Sequence, residues 1–584
     1  MKLTILFLFI FSTTVLKAQL YIAPSEKSDS YMYAKDRLIF VQNEIHLIKN
    51  NKNETGASLY LRKGSQLLQG DKPANINTGS GDIAVVQQGT SNAFDYNYWG
   101  LPVVGFAGKN QLNDYLYDPL SNTESKKAKL TTGLEGYSDP LSISGRWIYT
   151  YSGANYSDWQ YVGEHFDLLP GEGFSMKGVN GSNSNLIEGE KINPGSAQMY
   201  DFRGLPNDGK IELPVKKDQV LLVGNPYPSS LDLEKFLFEN ISTTGIAYFW
   251  DSKKNGNSHY LSDYEGGYGT YSPGAGIYIP AIFKRYSDES ETGEIGESYP
   301  RKRMPIAQGF MIIGKNEGVV HFQNSQRMYQ KEIEGVSNFK SLEPANPSVI
   351  FNIEIDSMYV RQLALSFNNL STVNEDHGMD ARKMDRFSED ISWSISEEPF
   401  LINVRPKVDQ ELIPLKINLK KDTSLKFSAA KFNNFNPDRL FVYDAQDDLY
   451  FGITTGYFKM SLPAGDYNDR FFISFIEQLP AEDTTTDSIA PVADLKKLPN
   501  ILLNTIDIFQ NNSLEQLETK VLYNAELKNL KLFDLHGKLI LNKNFIAKEK
   551  EFNFSTGNLS NAIYIVKVIT NDNKELTKKI SIRN

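Results

Sequence analysis

The sequence predicts a mostly β chain made of several antiparallel β-sandwiches, and three observations carry that expectation. Apolar and polar residues alternate with the two-residue period of a half-buried strand: Phe351, Ile353 and Ile355 against Asn352, Glu354 and Asp356, then Leu415, Ile417 and Leu419 against Lys416, Asn418 and Lys420. Turn residues such as Pro463-Ala464-Gly465-Asp466 separate the runs. Amphipathic helical periods are scarce. The best spans Leu231 to Asn240, where Leu233, Phe236 and Leu237 fall at helical spacing after the candidate cap residues Ser229 and Ser230.

Taken in order, the chain opens with Met1 and Lys2, an apolar run from Leu3 to Leu16, and Lys17-Ala18-Gln19. A short charged start, a short apolar stretch and a small residue at the break predict a secretory signal over residues 1–18, cleaved between Ala18 and Gln19. No later stretch approaches about 18 consecutive apolar residues, so no transmembrane span is expected in the mature chain. Residues 19–95 read as an N-terminal β region, and 96–345 as a duplicated aromatic and glycine-rich β core. The duplication rests on three echoes: Tyr98-Trp99-Gly100-Leu101-Pro102 and Val223-Gly224-Asn225-Pro226, the aromatic strands 146–151 and 246–251, and Gly173-Phe174 and Gly309-Phe310. A hinge at Pro344-Ala345-Asn346-Pro347 leads into a β-sandwich over 346–478; a proline- and threonine-rich linker fills 479–499, and 500–584 form a last β unit.

Charge and cysteine usage narrow the chemistry. The 584 residues carry 61 Lys+Arg against 71 Asp+Glu, a net charge of −10, which argues against nucleic acid and anionic membranes as main partners. Cysteine is absent, which removes disulfides, thiolate metal sites, cysteine nucleophiles and lipid attachment through a thiol. The zinc-protease, phosphate-loop and calcium-loop patterns do not occur. The six histidines lie far apart in sequence, and His165, with Glu164 and Asp167 beside it, reads as part of a solvated loop. No catalytic residue, no metal site and no cofactor is assigned.

The segment from Trp250 to Pro280 is the richest candidate. Tyr260, Tyr264, Tyr268, Tyr271 and Tyr278 alternate with glycines and with Asp251, Asp263 and Glu265. Sugar faces stack on aromatic rings while carboxylates bind hydroxyls, so Trp250, Asp251, Tyr264, Glu265, Tyr268 and Tyr271 are the expected ligand-binding set. Two other readings stay open: the tyrosines pack on neighbouring strands, or the carboxylates serve a secreted polysaccharide-acting enzyme, which needs two of them held about 5–10 Å apart.

The tail carries three ordered blocks: Leu530-Lys531-Leu532-Phe533-Asp534-Leu535-His536-Gly537-Lys538, then Asn561-Ala562-Ile563-Tyr564-Ile565-Val566-Lys567, then Lys578-Lys579-Ile580. They resemble the type A C-terminal sorting domain of the type IX secretion system, an immunoglobulin-like unit, with Asp534, Gly537, Tyr564 and Lys579 at its motif positions. Ala562 stands where that family usually has glycine. The resemblance implies a cargo of a Gram-negative bacterium, handled by the type IX secretion machinery and either secreted or attached to surface lipopolysaccharide. Blocks such as Asp95-Tyr96-Asn97-Tyr98-Trp99-Gly100 and Val223-Gly224-Asn225-Pro226-Tyr227-Pro228 resemble large uncharacterised surface proteins exported by the same route and bring no known activity. In the linker, Asp483-Thr484-Thr485 and Asp487-Ser488-Ile489 resemble short O-glycosylation acceptors of such bacteria. The expected function is an adhesion or ligand-binding scaffold without catalysis, with an extracellular glycan or surface lipopolysaccharide as partner.

Overall fold

A computed structural model describes residues 20–582, except 477–505 and several shorter stretches, among them 332–345. Ala18, Gln19, the linker and Gly537 lie outside the described residues. The fold is mostly β: among the described residues a single α-helix stands beside 53 strands, most of them paired antiparallel. No described helix is long and apolar enough to cross a membrane. The chain divides into two compact units, residues 1–479 and 480–584.

The larger unit begins with an arrangement that the alternation pattern does not foretell. Strands Leu20–Ile22 (β1), Met32–Lys35 (β2), Leu38–Val41 (β3), Ile45–Leu47 (β4), Leu59–Arg62 (β5), Gln66–Gln69 (β6), Thr78–Gly79 (β7) and Ile83–Gln88 (β8) follow one another along the chain. They pair in parallel every third strand: β1 with β4 and β4 with β7, β2 with β5 and β5 with β8, β3 with β6. Three short strands per coil, stacked coil on coil, make a small β-solenoid. Ile45, Leu47, Leu59, Leu61, Leu67, Ile83 and Val85 fill its interior. Residues 19–95 do not close on themselves, because Met199–Pro206 from the following region pairs antiparallel with β8.

The central sheet has eleven strands. It contains Tyr96–Trp99 (β9), Tyr149–Gly153 (β10), Trp159–Tyr161 (β11), Phe174–Lys177 (β12), Val220–Gly224 (β13), Ala247–Ser252 (β14), Glu265–Ser272 (β15) and Gly309–Ile313 (β16). Across it the order runs β9-β12-β10-β13-β16-β14-β15. Each echoing segment therefore lays down its strands in the same order, first, third, second. The registers agree as well: Phe174 pairs with Trp99, and Phe310 with Val223. At the seam the two halves clasp each other. Gly100 N donates to Ala307 O at 2.7 Å and Gly224 N to Gly171 O at 3.0 Å. Ala307 and Gly171, which occupy equivalent places, both have positive φ, +59° and +90°.

The seam admits no side chain. A Cβ on Gly224 would lie 2.4 Å from Gly100 Cα, a backbone atom that no rotamer change can move aside. Gly224→Ala is expected to cost about 1–3 kcal/mol in urea unfolding. Gly452→Ala, whose Cβ would meet nothing closer than 3.9 Å, serves as the comparison and should lose far less.

The helix, Leu233–Glu239, begins where helical spacing places it, but its cap differs from expectation. Asp232 accepts from Lys235 N at 3.1 Å, so the cap is neither Ser229 nor Ser230. Leu233, Phe236 and Leu237 are buried against one face of the central sheet. The opposite face packs on the twelve-stranded sheet of residues 348–474. That packing is one continuous core: Tyr248, Met311 and Ile279 join Phe351, Ile353, Trp393 and Ile417.

The smaller unit, described by itself, is a two-sheet sandwich. Ile506–Asn511, Gln516–Val521 and Glu551–Ser555 form one sheet; Leu539–Asn544, Leu527–Asp534, Ala562–Thr570 and Glu575–Ile582 form the other. Its core includes Ile508, Leu517, Leu530, Leu532, Tyr564, Val566, Val568 and Ile580.

Candidate functional site

Strand pleating decides what the Trp250–Pro280 segment can do. β14 and β15 pair antiparallel with Trp250 opposite Tyr268 and Asp251 opposite Gly267. Directly opposed side chains share a face and neighbours alternate, so Trp250, Tyr264 and Tyr268 belong to one face. Asp251, Glu265 and Tyr271 belong to the other. The expected binding set is therefore split, and rings and carboxylates do not converge.

Each carboxylate is already engaged. Asp251 accepts from the backbone N–H of Glu297 at 2.9 Å and of Ser252 at 2.9 Å. Glu265 is ion-paired with Lys253 at 2.8 Å and Arg285 at 3.6 Å, and exposed Asp263 accepts from Ser258 Oγ at 2.6 Å. Tyr271 is a core residue whose hydroxyl donates to Glu234 at 2.9 Å. The packing reading holds for Tyr271, and hydrolysis by these carboxylates finds no support in their surroundings.

The aromatic half gathers more rings than the segment itself supplies. Tyr268 OH lies 2.8 Å from Tyr98 OH, and Trp250 packs within 5.3 Å of Tyr268 and 5.9 Å of Tyr286 between ring centroids. Trp159 joins through Tyr98 at 5.9 Å and Tyr151 at 5.0 Å. Further along the same face Tyr264 meets Tyr96 at 5.9 Å, and its hydroxyl donates to Phe94 O at 2.5 Å.

In this second group sits Lys177, paired across the strands with Tyr96. Its Nζ is 3.9 Å from the ring centroid of Trp147, 4.9 Å from Tyr264 and 5.0 Å from Tyr96. His259 Nδ1 is 3.1 Å away, its ring stacked on Trp147 at 5.4 Å and its other nitrogen 3.6 Å from Glu135. Only 2% of Lys177 is exposed, so the ammonium loses water and keeps ring faces in exchange. Burial pushes the amine down to about 7, against a partial pull upward from Asp95, and burial pushes the Asp95 carboxyl up to about 6. Burial and the neighbouring Lys177 also hold His259 below the ordinary histidine range. The cage fastens the loop carrying His259 and Tyr264 onto β9 and β12. Sequence reasoning missed it: in Phe174-Ser175-Met176-Lys177 the lysine occupies what alternation marks as a wet position, and no sequence signal brings Trp147 and His259 over it.

In the smaller unit, Asp534 ends a strand and is tied to Lys538: its backbone N–H donates to Lys538 O at 3.0 Å and its carboxylate accepts from Lys538 N at 2.9 Å. Tyr564 is buried with its hydroxyl on Ser560 O at 3.1 Å, and Lys579 pairs with Ile565 in the terminal strand.

Comparison with known proteins gives an affiliation. Residues 33–475 match the family model described as Domain of unknown function (DUF8693). The chain belongs to this family. The DUF8693 match takes in the solenoid from Tyr33 onward, the central sheet and the twelve-stranded sheet together, and residues 497–582 match a second model, Domain of unknown function (DUF8694). No curated protein matches the chain. A solved structure described as a tetra-tandem repeat in the extending region of a large adhesion protein aligns at 9% identity over 76% of this chain and 93% of its own. Its TM-score of 0.10 is too low to inform fold or function.

Proposed function

We propose that this DUF8693 protein is an exported β scaffold for adhesion or ligand binding, a type IX secretion cargo whose C-terminal unit is the sorting domain and which is secreted or held at the outer cell surface. The observation that carries the reading is the tail. Residues 506–582 form a sandwich with a core of their own, and of its quoted motif positions Asp534 is bonded to Lys538, Tyr564 anchors the core and Lys579 lies in the strand Glu575–Ile582. For the larger unit, binding without chemistry is supported by the engagement of Asp251, Asp263 and Glu265 with backbone, serine and cationic partners. Surface lipopolysaccharide and extracellular glycans are the partners this reading names.

Deletion of residues 500–584 in the native host tests the delivery step. Fractionation is expected to find the full chain outside the outer membrane and the truncated chain confined to the periplasm. Arrival of the truncated chain at the surface in comparable amount would remove the sorting role.

A further inference from the structure

Beside the central sheet, a depression of 540 Å³ is lined by Thr150, Gln160, Tyr161, Glu164, His165 and Asp167. Thr150 and Gln160 are direct cross-strand partners on β10 and β11. Tyr161 is 61% exposed and rests on its neighbours. Its ring covers Gly163 so closely that a Cβ there would lie 2.4 Å from Tyr161 Cζ, and Gly163 itself has φ +61°. A side chain at this position would push the ring aside, and its left-handed backbone favours glycine. Val162 N and Gly163 N both donate to Ile148 O, at 2.9 and 3.2 Å, which pins the turn beneath the ring. Tyr149 supports the ring at 5.4 Å and 63°.

Thr150 Oγ1 donates to Gly173 O at 2.8 Å, but most of the polar lining is uncommitted. Among the described residues, the side chains of Gln160, Glu164, His165 and Asp167 have no hydrogen bond or ion pair to the rest of the protein. That contrasts with the engaged carboxylates of the Trp250–Pro280 segment. Glu164 also lines an adjoining depression of 490 Å³ together with Gln111, Asn113 and Lys129. There Asn113 Oδ1 is buried without a hydrogen-bond partner. Among the described residues no three acidic or histidine side chains come together to hold a metal ion.

We propose that these two depressions, joined at Glu164, bind a neutral saccharide chain. The exposed phenol ring offers a flat apolar platform for the C–H face of a pyranose, while Glu164 and Asp167 accept hydroxyl hydrogens and Gln160 both donates and accepts. Of the lining lysines, Lys127 is paired with Asp114 at 2.6 Å and Lys129 offsets one of the two carboxylates, so the remaining negative charge disfavours uronic or phosphorylated sugars by like-charge repulsion. The proposal rests on the binding-scaffold reading and gives it a site and a ligand class.

The test uses the full chain in calorimetric titration with neutral hexasaccharides of glucose, mannose and xylose, and with oligogalacturonate as the acidic comparator. At least one neutral chain is expected to bind, with oligogalacturonate about tenfold weaker or worse. Tyr161→Ala, at an exposed position, should weaken binding about tenfold without changing the melting temperature, while Tyr161→Phe keeps most of the affinity. Gly163→Ala should weaken binding by displacing the same ring. Equal neutral-sugar affinity in wild type and Tyr161→Ala overturns this site and leaves the scaffold reading standing, since binding would then lie elsewhere. Absence of binding to every neutral chain overturns the ligand class, and the tail-deletion result stays independent of both.

Discussion

Replacing Asp201 by alanine is expected to destabilise the larger unit by about 3–5 kcal/mol, the cost of leaving buried cations without their anion. Asp201 is fully buried on Met199–Pro206, the strand that pairs with the solenoid. Its carboxylate receives Arg62 Nη1 and Nη2 at 3.1 Å each, Arg203 Nε at 3.2 Å and Ser125 Oγ at 2.6 Å. The Arg62 and Arg203 side chains are 3% and 4% exposed, so neither guanidinium can recover water when the carboxylate is removed. Arg203 Nη2 already lacks a partner, and alanine would add to that deficit.

The same network has a pH signature. Burial alone would raise the Asp201 carboxyl, but Arg62 and Arg203 outweigh it and hold the group below its ordinary 3.8. A depressed folded value means that the stabilisation is fully present above about pH 4 and is lost as the pH falls through the lower folded value. Urea unfolding at pH 7 should therefore show the full loss for Asp201→Ala, and the gap to wild type should narrow in acid. A loss under about 1 kcal/mol at pH 7 would mean that the arginines are satisfied by something other than Asp201.

How far these features can be read from sequence depends on the distance over which they are encoded. The strand over 348–355 is legible because its period is local: Phe351, Ile353 and Ile355 are buried and Asn352 and Glu354 are half-exposed. The helix is legible for the same reason, and only its cap shifts by two residues from Ser230 to Asp232. The solenoid is not legible, because a three- or four-residue strand shows too little alternation to reveal whether its partner runs parallel or antiparallel. Adjacent positions already place Trp250 and Asp251 on opposite faces of one strand. That Glu265 and Tyr271 side with Asp251, and Tyr268 with Trp250, follows only from the register of β14 against β15. The Tyr161 platform depends on the contact of its ring with Gly163, which no spacing rule predicts, although Glu164, His165 and Asp167 are neighbours in sequence. The carboxylates that were conspicuous in sequence prove to be engaged, and the uncommitted ones lie in what reads as an ordinary polar loop.

Lys177→Met should abolish a pH dependence of stability worth on the order of 4 kcal/mol between neutral and alkaline conditions. Burial lowers the folded amine to about 7 from its ordinary 10.5, so between these values the unfolded chain carries a proton that the folded chain has released. Raising the pH through that window therefore favours the folded state by up to about 1.4 kcal/mol per pH unit. Methionine fills a similar volume, keeps contact with the Trp147, Tyr96 and Tyr264 rings and carries no proton. Asp95 acts in the opposite sense at lower pH. Its folded value of about 6 lies above the ordinary 3.8, so its contribution falls as pH rises between them and is a cost at neutrality. Burial also raises the Tyr96 and Tyr264 phenols, so above about pH 10 unfolded tyrosines ionise first and stability falls again, which closes the window. The comparison is thus best made by urea unfolding at pH 6.5 and pH 9.5, where only Lys177 among these groups changes charge substantially. Relative to wild type, Lys177→Met should be at its most favourable at pH 6.5 and lose that advantage at pH 9.5. An identical difference at both pH values would show that the amine stays charged inside the cage, held by the three ring faces without giving up its proton.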